Sequence, residues 1–319
     1  MNLRNALAAT AGGLAATGVA NRLLERRAGH LGPPLDGRQR VHRWRGFDVA
    51  YTEAGDADDP DVLLLHGLSP AASAHEFRGV FDALSERYHV VAPDLPGFGR
   101  SDRPDVTYDA ERYVQFVGDF ADAVVENPTV LASGLTGAYA AMAAGRGGDD
   151  AAGGAAVDRL CLVCPTADTA VDRPWLESVL RTPVVGHGLF NALVSKPALE
   201  YLDQRDDYYH PQDVGAGVVE YQWRTAHQAG AQYAPAALFG GRLDPVVDLG
   251  SELAAVDCPV TLVWGREART PPLAAGRTLA EDADARLVVL DESRRRPHAE
   301  HPEIVLEALA ADLPRLEDD

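Results

Sequence analysis

Lysine is nearly missing from this chain of 319 residues: Lys196 is the only one among 29 Lys plus Arg, set against 48 Asp plus Glu for a net charge of -19. A surface of that sign repels nucleic acid and anionic lipid, so no nucleic-acid partner is expected. Acidity with so little lysine points to adaptation to high salt, where counterions screen the self-repulsion that works against a compact state. Cysteine is scarce as well. Cys161, Cys164 and Cys258 are odd in number and lie in apolar segments, which argues against a disulfide framework and for a reducing, cytoplasmic compartment. The Cys161-x-x-Cys164 spacing has the form of a metal or redox motif. It falls inside Leu160-Cys-Leu-Val-Cys164, however, a buried-strand pattern in which residues three apart face opposite ways, so packing and not a metal is the expected role. No Walker or GxGxxG motif and no fixed-period repeat occurs, and no cofactor is expected.

A membrane-spanning run is also lacking. The apolar stretch Ala6 to Ala20, flanked by Arg4 and by Arg22, Arg26 and Arg27, would span about 22 Å as a helix, short of a hydrocarbon core of about 30 Å. Gly12-Gly13 weakens that helix, and no clear small-x-small site ends it as a signal peptide would end. Two readings remain for residues 1–27: a helix packed on the domain, or a peripheral membrane anchor. Pro33-Pro34 then marks a linker that closes an N-terminal segment of residues 1–35.

What is present is an alternation of strand and helix patterns. Val41 to Trp44 and Phe47 to Thr52 read as an antiparallel lead-in around Arg45-Gly46. Val62 to Leu65, His89 to Ala92, Pro128 to Ser133, Asp158 to Cys164, Val260 to Trp264 and Ala285 to Leu290 read as strands of a mostly parallel sheet, apolar on both faces. Between them, Phe77, Val80, Phe81 and Leu84, and again Tyr113, Phe116, Val117 and Phe120, repeat with helical spacing. The alternation stops over residues 165–248, where five of the ten tyrosines fall together with Trp175 and Trp223. That stretch reads as a helical cap inserted into a core of residues 36–164 and 249–319.

Five motifs in order carry a resemblance: His66-Gly67 after a strand, Asp94-Leu-Pro-Gly-Phe-Gly-Arg-Ser-Asp102, a strand-to-helix elbow at 132–137, Trp264-Gly265 and Pro297-His-Ala-Glu-His-Pro302. Together they resemble the α/β-hydrolase superfamily, in its capped branch of epoxide hydrolases, haloalkane dehalogenases and small esterases, over residues 40 to 314. The resemblance implies a mostly parallel sheet flanked by helices, and a nucleophile, acid and base at fixed places. The family's elbow has the form small-x-nucleophile-x-small. Matching Leu131-Ala-Ser-Gly-Leu-Thr-Gly137 to it puts Gly134 at the nucleophile; the frame with Ser133 there would place Leu131 and Leu135 where small residues belong. The acid's place falls on Ala268, with Glu267 beside it, and the base's on Arg295, which stays protonated and accepts no proton. A substitute set would draw on Ser133, Asp168 and His298, or on His66 or His75.

Backbone N–H groups at Leu68 and Leu135 would form the oxyanion hole implied by the family. His66, Arg266, Arg269 and Arg295 are candidate ligand-binding residues, because loops at the carboxyl edge of such a sheet hold ligands, and a positive cluster there suits an anion. The plainer reading of those arginines is ion pairing with Glu267, Asp291, Glu292 and Glu300. The expected function is a capped small-molecule pocket without orthodox Ser-His-Asp hydrolysis. Its rival is a hydrolase or lyase on a small ester, epoxide or haloalkane-like substrate with a non-standard catalytic set.

Overall fold

A computed structural model describes residues 3–147, 154–210, 212 and 214–313. Eight strands form one sheet: β1 (Arg38–Trp44), β2 (Phe47–Ala54), β3 (Asp61–Leu65), β4 (His89–Pro93), β5 (Thr129–Ser133), β6 (Arg159–Val163), β7 (Val260–Gly265) and β8 (Arg286–Leu290). Their order across the sheet is β1-β2-β4-β3-β5-β6-β7-β8. β1 and β2 are antiparallel to each other and β2 to β4, and every later pair is parallel.

The continuous apolar runs follow from burial on both faces. Leu63 and Leu65 of β3 point into one core, with Leu160 and Leu162 of β6, while Val62, Leu64 and Cys161 point into the other. Each fully buried Leu is worth about 1.5–3 kcal/mol of transfer free energy, which makes the parallel centre of the sheet the main source of stability. Cys161 and Cys164 therefore part company, Cys164 joining Trp264 and Ala268 in a third cluster.

Chain order gives the helices α1 (Leu3–Ala28), α2 (Phe81–Ser85), α3 (Ala110–Val124), α4 (Leu135–Gly145), α5 (Pro174–Leu180), α6 (Val185–Leu193), α7 (Lys196–Leu202), α8 (Ala216–Ala226), α9 (Tyr233–Gly240), α10 (Leu249–Ala254), α11 (Leu273–Asp282), α12 (Pro297–Glu300) and α13 (Pro302–Leu309). The apolar stripe Phe77 to Leu84 is not one helix, as its spacing predicts. A 3₁₀ turn over Ala74–Phe77 stops short of α2, and between them Gly79 packs so closely on Pro302 that an added Cβ would lie 3.2 Å from the proline ring. In α3 the side chain of Asp109 accepts the Arg112 N–H at 2.9 Å, satisfying one of the orphan donors of the first turn.

Helices α5 to α9 form the cap, and a π turn over Asp203–Asp207 follows α7. The Arg242 guanidinium ties the end of α9 to α5 by donating to Glu177 at 3.0 Å. From Thr17 onward α1 rests on this cap: Asn21 Nδ2 donates to the Val184 carbonyl at 3.0 Å, and Arg224 Nε of α8 donates to the Ala28 carbonyl at 2.9 Å. No helix among the described residues is long and apolar enough to cross a membrane.

Candidate active site

β5 runs into α4 with a single residue between them. That residue, Gly134, has φ 59° and ψ -130°, a conformation that L side chains rarely adopt and that glycine takes freely. Its N–H donates to Val163 O at 3.0 Å, which pins the elbow to β6. The turn is close-fitting on its flanks, since a Cβ on Gly137 would lie 3.0 Å from Pro165, yet a Cβ on Gly134 itself would meet nothing within 4 Å. The open space is a cavity of about 150 Å³ lined by Leu68, Glu76, Ser133, Leu135, Cys164, Asp168 and Arg295, among others. Leu135 opens α4, so its N–H is one of the helix's unsatisfied donors.

The neighbouring positions are occupied as follows. Ala268 is buried in a turn after β7, its N–H on the Gly265 carbonyl, and Glu267 turns away to accept the Ser293 N–H at 3.0 Å. Arg295 lines the cavity but is engaged from the cap: its Nε donates to Asp207 Oδ1 at 2.8 Å, while Arg296 Nη2 stands 2.8 Å from Asp207 Oδ2. Arg294 completes the clamp by donating to the Gln204 carbonyl and, at 2.8 Å, to the Arg205 carbonyl. Thus Arg294-Arg295-Arg296 holds the π turn of the cap. Burial opposes the charge on Arg296, but Asp207 and Glu76 outweigh it and raise the guanidinium above its usual range.

The substitute set does not assemble. Ser133 turns its hydroxyl toward Gly67, whose added Cβ would lie 3.1 Å from Oγ. Asp168 is exposed and caps a local turn, its Oδ1 accepting the Ala170 N–H at 2.6 Å. His298 is fully buried behind the cavity wall, 3.0 Å from Glu76 Oε1 in a close polar contact short of hydrogen-bond alignment. No hydrogen bond joins Ser133, Asp168 and His298 among the described residues.

Three expected ligand residues have other neighbours in the fold. His66 is buried with both ring nitrogens engaged: Nδ1 with the Gly67 carbonyl at 2.8 Å, and Nε2 accepting the Leu95 N–H at 3.0 Å. Burial lowers its pKa, so it is a neutral brace for the loop. Arg266 pairs with Asp291 at the surface, and exposed Arg269 does not line the elbow cavity. His75 lies flat on Tyr221 of the cap, ring centroids 4.4 Å apart, and does not line the elbow cavity.

Residues that sequence patterns did not single out complete the site. Glu76, next to His75, lines the cavity and accepts the Gly67 N–H on Oε2 at 3.1 Å. Burial would raise its carboxyl, but His298 and Arg296 outweigh that and hold it below the usual carboxylate range. Asp207 and Asp203 come from the cap, and nothing in a polar stretch such as Asp203-Gln-Arg-Asp-Asp207 announces a buried role.

A model of the alpha/beta hydrolase family matches residues 62–308, well over half of the chain, and the chain belongs to that family. Haloalkane dehalogenase of Bradyrhizobium diazoefficiens is 39% identical over 94 residues, which is 30% of this chain and 27% of that protein. A 2-hydroxy-6-oxo-6-(2'-aminophenyl)hexa-2,4-dienoic acid hydrolase of Metapseudomonas resinovorans is 34% identical over 79 residues, 25% of this chain and 27% of that protein. These alignments span less than a third of the relatives' length. Among solved structures, a bacterial membrane phospholipase A superposes with a TM-score of 0.68 at 24% identity, over 97% of this chain and 95% of that one. The serine hydrolase CarC of carbazole degradation does so with 0.69 at 18% identity, over 86% and 97%. At such identities the likeness shows the fold, an α/β-hydrolase fold.

Proposed function

We propose that this chain is an α/β-hydrolase-fold protein whose capped pocket binds a small molecule without Ser-His-Asp hydrolysis. The observation that carries the reading is the joint occupancy of the elbow and its partners by Gly134, Ala268 and Arg295, with Arg295 committed to Asp207. None of the three supplies a nucleophile, a carboxylate or a proton acceptor. Loss of the nucleophile or base of a serine triad costs about 10⁶ in turnover. Cys164 is no replacement nucleophile, since burial pushes its thiol up to about 12. The Leu68 and Leu135 N–H groups, which need no triad side chain, remain available to orient a polar ligand atom. A fluorophosphonate probe should leave the protein unlabelled, and a panel of small esters, epoxides and haloalkanes in multimolar salt should show no turnover above buffer. Labelling at any serine, or turnover of any of these, would favour the family's hydrolytic chemistry.

A second, independent reading concerns the outer face of the cap. We propose that it rests on an anionic lipid surface, its exposed apolar side chains and local arginines outweighing there the repulsion that the chain's net charge exerts on anionic lipid as a whole. Leu14, Val19 and Leu23 of α1 and Val185, Leu189 and Leu193 of the adjoining α6 are all exposed, and Trp175 of α5 stands 65% exposed nearby. Arg22, Arg26 and Arg27 flank this face in a chain of otherwise acidic character, the sign that anionic headgroups attract. The chain should sediment with phosphatidylglycerol-containing vesicles, and the double variant Val19→Asp/Leu23→Asp should not; equal sedimentation of the two would dismiss the contact.

A further inference from the structure

Two cavities adjoin under the cap. The elbow cavity, of about 150 Å³, and a second one of about 280 Å³ share Leu68, Thr169, Arg295 and Arg296 in their walls. The second does not touch Gly134 and has an apolar wall of Leu199, Leu202, Leu238 and Phe239. Taken together they are polar at the elbow and apolar under the cap, a shape that suits an amphiphile.

The polar end holds unused donors. Asp207 takes Arg295 through Nε and Nη2 and Arg296 through Nη2, which leaves Arg295 Nη1 without a protein acceptor among the described residues. That side chain is 31% exposed and lines both cavities, so its free end can be reached. Leu68 and Leu135 also line the elbow cavity, and no protein acceptor takes either N–H among the described residues. The carboxylates nearby already have partners: Glu76 the Gly67 N–H and the His298 ring, Asp168 the Ala170 N–H, and Asp206 the Arg205 guanidinium. The oxygens of Asp203 and Gln222 that lack a donor are sealed off and do not face a ligand.

We propose that the joined cavities bind a medium-chain carboxylate, its head accepting from Arg295 Nη1 and from the Leu68 and Leu135 N–H groups and its alkyl chain lying on Leu199, Leu202, Leu238 and Phe239. The assignment rests on the ligand-binding reading above and gives it a chemical class. A carboxylate brings acceptors and no donor, which matches a polar end whose open groups are donors and whose own carboxylates are engaged; an ammonium group brings the opposite. The guanidinium keeps its charge at every working pH, and a charged donor to a carboxylate makes a stronger hydrogen bond than a neutral one. Gly134 gives the head its room, since an added Cβ there would meet nothing within 4 Å. Arg295 then serves both sides, Nε holding the cap and Nη1 the ligand.

Titration calorimetry of the full chain at pH 8 with hexanoate, n-hexanol, n-hexylammonium and propionate tests this. Hexanoate is expected to bind at least tenfold more tightly than hexanol, with hexylammonium weakest. Propionate should bind at least tenfold more weakly than hexanoate, because each methylene withdrawn from the apolar wall costs roughly fourfold. Arg295→Gln should lose at least tenfold in hexanoate affinity while binding hexanol as before, which also shows that the variant is folded. Hexanoate no tighter than hexanol, hexylammonium as tight as hexanoate, or propionate equal to hexanoate overturns the proposal without any variant, and so does an unchanged hexanoate affinity in Arg295→Gln. Ester turnover measured on the same preparation separates the two readings: turnover rejects the non-hydrolytic one whatever hexanoate does, and absence of both turnover and hexanoate preference rejects only the carboxylate assignment.

Discussion

Arg295 and Asp207 meet across the seam between core and cap, the guanidinium Nε donating to Oδ1 at 2.8 Å. Arg295 is thus a permanent cation whose partner is a buried carboxylate 88 residues away. The contact closes the seam between core and cap.

Breaking that closure from the cap side should be severe. Asp207→Ala leaves Arg296, with its side chain only 12% exposed, without the counter-ion that offsets its burial. A loss of about 3–5 kcal/mol is expected, measured by urea unfolding. Arg295→Ala, which keeps the Arg296 contact, should cost clearly less. Equal losses would show that the two arginines do not divide the work as their contacts indicate.

Restoring the elbow serine should restore little. A Cβ in Gly134→Ser would meet no atom within 4 Å, so its main cost is the strained backbone at positive φ, about 1–3 kcal/mol, visible as a fall in Tm. No gain in ester hydrolysis is expected, because Arg295 accepts no proton. Fluorophosphonate labelling of this variant well above the parent protein would reveal a base within reach of the elbow.

Acid should loosen the contact between the 3₁₀ turn and the cap. Burial, then Arg78 and Arg296, lower the His75 pKa to about 4 from 6.5, so the folded state favours the neutral ring. The folded state then binds fewer protons than the unfolded one between those values. Stability from this group is present above pH 6.5 and is lost as pH falls through about 4. His75→Phe, which can keep the stack on Tyr221, should show a shallower fall of Tm over that window; parallel curves would remove His75 from the explanation.

Thiol reactivity should report burial. Burial pushes Cys161 and Cys164 each up to about 12 from 9.0, a roughly thousandfold loss of thiolate at pH 8. Both should resist Ellman's reagent in the native protein and react on unfolding. Rapid native reaction of either would mean that the sheet opens locally.

Val62 to Leu65 is legible as a buried strand from its four residues alone, since an uninterrupted apolar run is what covering both faces of a parallel sheet demands. The elbow is legible for a similar reason: a small-residue turn between an apolar strand and an alanine-rich helix is a local pattern, and Gly134 falls where the pattern puts it. His66 is not, because its neighbours Gly67 and Leu95 belong to two loops, and only their packing tells a ligand from a brace. Glu76, Asp203 and Asp207 were out of reach for a related reason. As polar residues in polar stretches they look solvated, and each acquires its role from a partner on another element: His298 and the Gly67 amide for Glu76, Gln222 for Asp203, and the arginine clamp for Asp207.

By itself, then, the chain's order of residues decided the strands and the elbow, because hydrophobic period and residue type are local properties. Which charges pair with which was decided only by the tertiary structure. Electrostatic partners are chosen by distance in space, and docking the cap on the core turned an arginine run that suggested an anion site into a clamp on the π turn of the cap.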